Sequence, residues 1–366
     1  MRIALVVPGG VDRGGRERVI PVLLSLIERL ARRHAVHVVA IYQYPEPCTY
    51  PLLGATVHNL GGVRTVPFLA SLHHYRRLVA LLEEHGPFDV LHAFWAAPCG
   101  TLAVLAGKRL GIPSVVSLAG GELTALPDID YGLQLFPRAR LQVARALRLA
   151  THVTAASGFM REKAAAYGAA AEEVVLGIDP ARFLRASRPP EGPPWRLLFV
   201  GSLNRVKAPM TLLAAFRRVA DRVPDVHLDI AGIDTLGGQV EARAAELGLD
   251  GRVRFHGFVP WDELPALYQQ AHLFVLTSRH EAGPLVLLEA AASGVPIVAT
   301  RVGHAADWAP DGVAAVPVGD DAALAESILA LLGDRAHRER MASVARRFVL
   351  EHDADRMVER FEWLYR

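Results

Sequence analysis

Two glutamates bracket a Gly-Pro pair and four aliphatic residues in the segment EAGPLVLLE, Glu281 to Glu289. A carboxylate inside so apolar a run is costly unless it is paired or hydrogen-bonded. Glu289 therefore either reaches water or meets a ligand. Pro284 suits the first position of a helix, because its missing N–H has no intrahelical partner there. The amides of Gly283, Leu285 and Val286 then point off the helix end, and with the helix dipole they form an anion site suited to phosphate. Gly283 allows close backbone approach. Glu289 lies five residues past Pro284, about 7–8 Å along the axis at about 1.5 Å per residue. That offset matches the reach from a diphosphate to a ribose, and carboxylates accept hydrogen bonds from sugar hydroxyls. The competing reading is a dipole-stabilising acid plus one snorkelling glutamate.

The elements that would carry this site alternate strand and helix. IALVV, VHVVAIY, DVLHAF and SVVSLAG read as buried strands of the first half. A Gly-rich loop, PGGVDRGG, follows the first of them and leads to an amphipathic helix expected over about 17–33. TLAVLAGKRLG reads as a helix stopped by Gly111. This rhythm argues for parallel sheets covered on both faces. RASRPPEGPPW has four prolines in eleven residues and reads as a linker. RLLFVGSLN, VHLDIAG, RVRFHGFV, LFVLTS and PIVAT then restart the same plan. The expected division is 1–185 for a first Rossmann-like domain, 186–195 for a hinge, 196–345 for a second, and 346–366 for a C-terminal helix. That helix either caps locally or packs back on the first domain. Ligands of such a pair are expected in the cleft between its domains.

With 366 residues, 51% of them hydrophobic, the chain exceeds one ordinary core. Forty Lys+Arg against 38 Asp+Glu leave a net charge of +2, which gives no nucleic-acid footprint. Basic clusters at Arg29, Arg32 and Arg33 and at His73, His74, Arg76 and Arg77 read as solvated helix faces or as a membrane-surface contact. The cysteines, Cys48 and Cys99, lack metal or redox spacing and fit a reducing compartment. MRIALVVPGG is too short for a signal segment, and no apolar run reaches membrane-spanning length. A cytoplasmic protein, peripheral on the inner membrane face if the basic clusters act there, is the expectation.

Common nucleotide motifs fail. PGGVDRGG is not G-x-G-x-x-G, and no acid ends the second strand to bind a ribose. GSLNRVKAP puts Val206 where a P-loop needs Gly and Ala208 where it needs Ser or Thr. Asp128-Ile129-Asp130 and Asp353-Ala354-Asp355 match a metal-binding D-x-D only in spelling, and both read as surface residues, the second within a helix.

Glu281 and Glu289 resemble the E-x7-E motif of retaining glycosyltransferases with the two-Rossmann GT-B fold, family four in particular. GGRERV, LGIDPARF, VGSLNRVKAP and the block from Arg252 to Thr300 are similar to further motifs of that family, so the resemblance covers nearly the whole chain. It implies transfer of a sugar from a nucleotide-diphosphate sugar, with UDP- or GDP-sugar expected, to a hydroxyl of a polysaccharide, glycolipid or small glycoside. Transfer would proceed with retention, without metal or cofactor. By the family pattern, Lys207 would pair with the donor diphosphate, helped by Arg205 where the family often has Arg at the position of Ser202. Glu281 would contact the donor sugar and Glu289 the ribose. The amides from Gly283 to Val286 would hold phosphate, and Phe258-Val259 the base. Gly14 and Gly15 would close over the leaving phosphate. The family's sugar-contacting histidine is replaced by Ala119, followed by Gly120. Glu122 or His92 would supply that contact, though His92 reads equally as a core histidine. The Gly-rich segment after VHLDIAG is reduced to Gly232-Ile233-Asp234. The alternatives are an epimerase or phosphorylase of the same fold, or a non-catalytic nucleotide-sugar-binding partner.

Overall fold

The computed structural model describes residues 1–62, 67–184 and 191–366, and only the backbone of 67–69. The chain divides into two compact units. One comprises Met1–Leu176 with Ala354–Arg366, and the other Gly177–Asp353.

The first unit runs β1 (Arg2–Val7), α1 (Pro21–Ala31), β2 (Ala35–Ala40), β3 (Cys48–Leu52), β4 (Ala55–Asn59), α2 (Pro67–His85), β5 (Val90–Phe94), α3 (Thr101–Leu110), β6 (Ser114–Leu118), α4 (Pro137–Leu149), β7 (His152–Ala155), α5 (Gly158–Ala166) and β8 (Ala171–Glu173). Its eight strands lie in the order β3-β4-β2-β1-β5-β6-β7-β8. All pairs are parallel except the β3–β4 hairpin. Ile3 to Val7 have no exposed surface, as a strand covered on both faces requires. Gly111 ends α3 in the left-handed conformation, where a glycine carries no Cβ penalty.

The second unit continues with β9 (Trp195–Val200), α6 (Pro209–Arg222), β10 (Val226–Ala231), α7 (Gln239–Glu246), β11 (Val253–Gly257), α8 (Leu264–Gln270), β12 (Leu273–Leu276), α9 (Leu285–Ala292), β13 (Ile297–Thr300), α10 (His304–Trp308), β14 (Ala314–Val316), α11 (Asp321–Gly333) and α12 (Arg335–Glu351). Its sheet is wholly parallel, in the order β11-β10-β9-β12-β13-β14. The last helix, α13 (Ala354–Leu364), belongs to the first unit.

Three boundaries differ from the sequence reading. Helix α1 starts at Pro21 and not near Glu17, because residues 8–20 form a loop closed by a Val11–Val19 bridge, with Arg18 at φ 50°. The C-terminal helix is two helices broken at His352-Asp353, so Asp353-Ala354-Asp355 straddles a helix start. The first of these helices packs on α9 in the second unit, while Met357, Val358, Phe361 and Leu364 of α13 are buried on the first. The division between units falls at Leu176/Gly177 and not in the Pro-rich stretch, of which residues 185–190 lie outside the described ones. The physical reason is Phe183, which is buried with its ring edge-on to Tyr268 at 5.9 Å and so ties LGIDPARF into the second unit.

Candidate active site

In the second unit, the C-terminal ends of β9 and β12 bring two loops together. The backbone N–H of Arg279 donates to the Val206 carbonyl at 2.7 Å, and the Thr277 hydroxyl donates to the Lys207 carbonyl at 2.8 Å. Thr300 Oγ1 anchors the Ser278 carbonyl from β13 at 2.6 Å. Between these clamps the Lys207 ammonium meets Glu281 Oε1 at 2.5 Å, and the Ser278 hydroxyl donates to the same oxygen at 2.6 Å. The side chains of Lys207 and Glu281 are 20% and 14% exposed, so the pair is reachable yet partly desolvated. Such a pair is held more tightly than a surface one.

Backbone packing fixes the cationic loop. The Gly201 amide donates to the Ala231 carbonyl and the Leu203 amide to the Ile233 carbonyl. A Cβ at Gly232 would lie 1.9 Å from the Gly201 carbonyl oxygen, so only glycine lets these loops touch. Ala208 caps α6 in the left-handed conformation, ahead of Pro209 in the first turn. Arg205 and Ser202 are exposed on the loop.

Pro284 is the N-cap of α9, not its first helical residue. Its backbone is extended (φ −71°, ψ 114°), and the helix starts at Leu285. The first-turn amides are therefore those of Leu285, Val286 and Leu287, of which Leu287 already donates to the Pro284 carbonyl. Glu289 is buried in the middle of α9, where Tyr268 Oη donates to Oε2 at 2.8 Å. Burial pushes its carboxyl up to about 7, against the lowering effect of the Tyr268 bond. Glu289 thus does not snorkel. Tyr268 and Ser278, which hold the two glutamates, carry no motif and escape a reading of the sequence; only packing names them. Phe258 is half exposed just past β11, with Val259 next to it.

In the first unit, Gly14 and Gly15 sit in a loop built on Asp12. The Gly14 amide donates to Asp12 Oδ1 at 2.9 Å, while Tyr44 Oη and Arg18 donate to Oδ2 at 2.9 and 2.6 Å. Burial works to raise the Asp12 carboxyl, but the Gly14 amide, Tyr44 and Arg18 hold it below its usual range.

Two expected acceptor-side contacts are not available at the surface. Glu122 is 1% exposed and accepts from the backbone amides of Ala96, Ala119 and Gly120 at 3.4, 3.2 and 2.8 Å. Its carboxyl is raised by burial, with the amide bonds opposing. It holds the loops after β5 and β6 and does not project from them. His92 has no exposed surface; Tyr365 Oη lies 2.6 Å from Nδ1 and Ser117 Oγ 2.8 Å from Nε2. It ties α13 to the sheet, and burial lowers its imidazole to about 3. Both side chains proposed to stand in for the histidine missing at Ala119 are thus already engaged by internal partners. Among the described residues, no group of His, Cys, Asp and Glu is placed to hold a metal ion.

Comparison with known proteins agrees with this architecture. Residues 181–348 match the family described as glycosyl transferases group 1, and residues 19–179 match the glycosyl transferase 4-like domain. A D-inositol 3-phosphate glycosyltransferase of Salinispora tropica is 31% identical over 342 residues, spanning 84% of this chain and 69% of that protein. The sucrose-phosphate synthase of Thermosynechococcus elongatus superposes with a TM-score of 0.83 at 18% identity, over 100% of this chain and 98% of that one. Anabaena HepE in complex with UDP-glucose gives 0.75 at 19%, over 99% and 98%. At such identities these two structures bear on the fold alone. Taken with the two matched domains, the sequence relative carries the conclusion: the chain belongs to family four of the glycosyltransferases and has the GT-B architecture of two Rossmann-like units.

Proposed function

We propose that this glycosyltransferase moves a sugar from a nucleotide-diphosphate sugar to an acceptor hydroxyl with retention at the anomeric carbon and without a metal ion. The Lys207–Glu281 pair carries this reading. It puts a cation and a sugar-binding carboxylate at one point, beside the N-terminus of α9. Lys207 leaves Glu281 for the donor diphosphate, and Arg205 adds a second positive charge on the same loop. Both stabilise the charge that develops as the nucleotide departs. Ser202 and the amides from Gly283 to Val286 hold phosphate oxygens. Glu281, freed from Lys207, takes sugar hydroxyls. Glu289 receives the ribose, and Phe258-Val259 the base edge. The departing phosphate is the base that accepts the acceptor proton, so no side chain acts as nucleophile. Gly120 lies on the acceptor side.

A UDP-sugar is the first donor to test, since HepE, of the same fold, is in complex with UDP-glucose. The acceptor is a carbohydrate or lipid-linked hydroxyl. A cytoplasmic site of action belongs to the same reading, supported by the free cysteines Cys48 and Cys99. Among the described residues, no helix is long and apolar enough to cross a membrane.

The experiment is a thermal-shift panel of UDP, GDP, ADP and their sugars, followed by nucleotide release with acceptors. A binding nucleotide raises stability by RT ln(1 + [L]/Kd). Release with a product of the donor's anomeric configuration, unchanged in EDTA, is expected. An inverted product overturns retention, and loss in EDTA with recovery in Mn²⁺ overturns metal independence.

A further inference from the structure

Of the basic clusters that stand out in the sequence, the first is paired with acids and the second is partly engaged by backbone carbonyls, with His73 and Arg76 left exposed. Arg29 pairs with Asp355 at 2.7 Å, Arg32 with Glu28 at 3.1 Å, and Arg33 with Glu362 at 3.2 Å. His74 is buried with Nε2 3.0 Å from the Gly61 carbonyl, and Arg77 donates to the Leu60 carbonyl at 2.5 Å.

Helix α4 differs. Only Val143 and Ala146 of its 13 residues are buried. Its outer face presents Arg138, Leu141, Arg145 and Arg148, spaced three or four residues apart and so on one side of a helix. Leu141 is 64% exposed and Phe136, its N-cap, 50%. No Asp or Glu occurs from Tyr131 to Arg161. Among the described residues, Arg138, Arg145 and Arg148 make no ion pair.

We propose that the outer face of α4 is the surface by which this protein docks on an anionic lipid bilayer. The guanidinium groups meet lipid phosphates while Phe136 and Leu141 enter the boundary between headgroups and acyl chains. Charge complementarity selects the occupant, because an acid-free row of unpaired arginines repels any basic partner. The two large apolar side chains among them select a bilayer over a nucleic acid, whose phosphate backbone offers nothing to a leucine. Each arginine near an anionic leaflet is worth roughly a five-fold gain in partition. This does not depend on the sugar-transfer reading.

The test is flotation of the full chain with vesicles of phosphatidylcholine alone or mixed equally with phosphatidylglycerol, at about 0.1 M salt, where screening is moderate. Wild type partitions into the mixed vesicles only. R145E/R148E and, separately, L141E and L141Q each lose at least about tenfold in partition. R346E/R347E, on the exposed face of α12, keeps wild-type binding, and all variants keep the wild-type melting temperature. No preference for the mixed vesicles overturns the proposal. So does wild-type partition by both Leu141 variants, which means bare counter-charge adhesion. Equal loss in R346E/R347E also overturns it, since binding then follows net charge and not this face.

Discussion

Lys207 and Glu281, 74 residues apart in sequence, meet through Nζ and Oε1 at 2.5 Å, and Ser278 braces the same carboxylate. The pair is a latch between the loop after β9 and the loop before α9. Its two members are assigned to different parts of one donor, so the pairing and the chemistry compete for the same groups.

K207A is therefore expected to lower kcat by at least about 100-fold, the usual cost of losing a charge that faces a leaving group. E281A should cost a similar factor. The exchanged double variant K207E/E281K restores the ion pair but reverses its orientation. It should regain melting temperature without regaining turnover. Steady-state kinetics beside thermal melts checks this, and recovered turnover would show that the pair acts only as a structural tie.

Glu289 gives a pH signature. Its folded carboxyl is raised to about 7 by burial, above the ordinary 4.5. A group raised on folding contributes stability that is complete below about 4.5 and is lost as pH climbs through about 7. E289Q lacks this loss. It should be more stable than wild type at pH 8 by about a few kcal/mol, and melt correspondingly higher. The advantage should vanish at pH 4.5. Y268F removes the one interaction that lowers this carboxyl, so its loss of stability should extend to higher pH. Melts across pH 4–9 decide, and an E289Q difference flat in pH would refute the buried carboxyl.

Gly232 is a steric test of the loop contact. A methyl group there would stand 1.9 Å from the Gly201 carbonyl oxygen, and φ at Gly232 is 159°. G232A must push the loop that carries Lys207 outward. The expected outcome is a donor KM raised about tenfold or more, together with a destabilisation of roughly 1–3 kcal/mol. Unchanged donor kinetics would mean that the loop can be displaced without consequence.

Glu122 tests whether the loops after β5 and β6 are set by one internal anion. In E122Q an amide N–H faces backbone N–H groups that the carboxylate accepted. Leaving buried donors unpaired costs about 1–3 kcal/mol each. E122Q should lower stability by a few kcal/mol and raise acceptor KM more than donor KM. Equal effects on both would place the loop outside acceptor binding.

The strands legible in the sequence are short apolar runs such as IALVV and LFVLTS, whereas β3, β4, β7, β8 and β14 are short or polar enough to leave no such run. The start of α9 was legible to within one residue, since Gly283-Pro284 punctuates it. The start of α1 was not: the charged residues of GGRERV continue a helical pattern, while a long-range bridge from Val11 to Val19 holds them in a loop. The environment of Glu289 was beyond reach for a similar reason. Its partner Tyr268 comes from another helix, and no spacing rule connects them. The internal partners of Glu122 were out of reach because a polar residue near a strand end looks functional in a string, while for His92 the core-histidine reading was open from the start. In three dimensions backbone amides and Tyr365 already use them. The break at His352-Asp353 lies in a run with no Gly or Pro to announce it.

Helix α13 has an implication for synthesis. The first unit begins with Met1 yet is completed by Ala354–Arg366, whereas the second is continuous. During synthesis the first sheet therefore waits, with the place of Phe361 and the ring nitrogen facing Tyr365 uncovered, until Ala354–Arg366 are made. The later-made unit can mature first. Translation stopped at Asp353 would leave the second unit complete and the first with an open flank, so a stop codon there is expected to damage the unit whose sheet was made earlier.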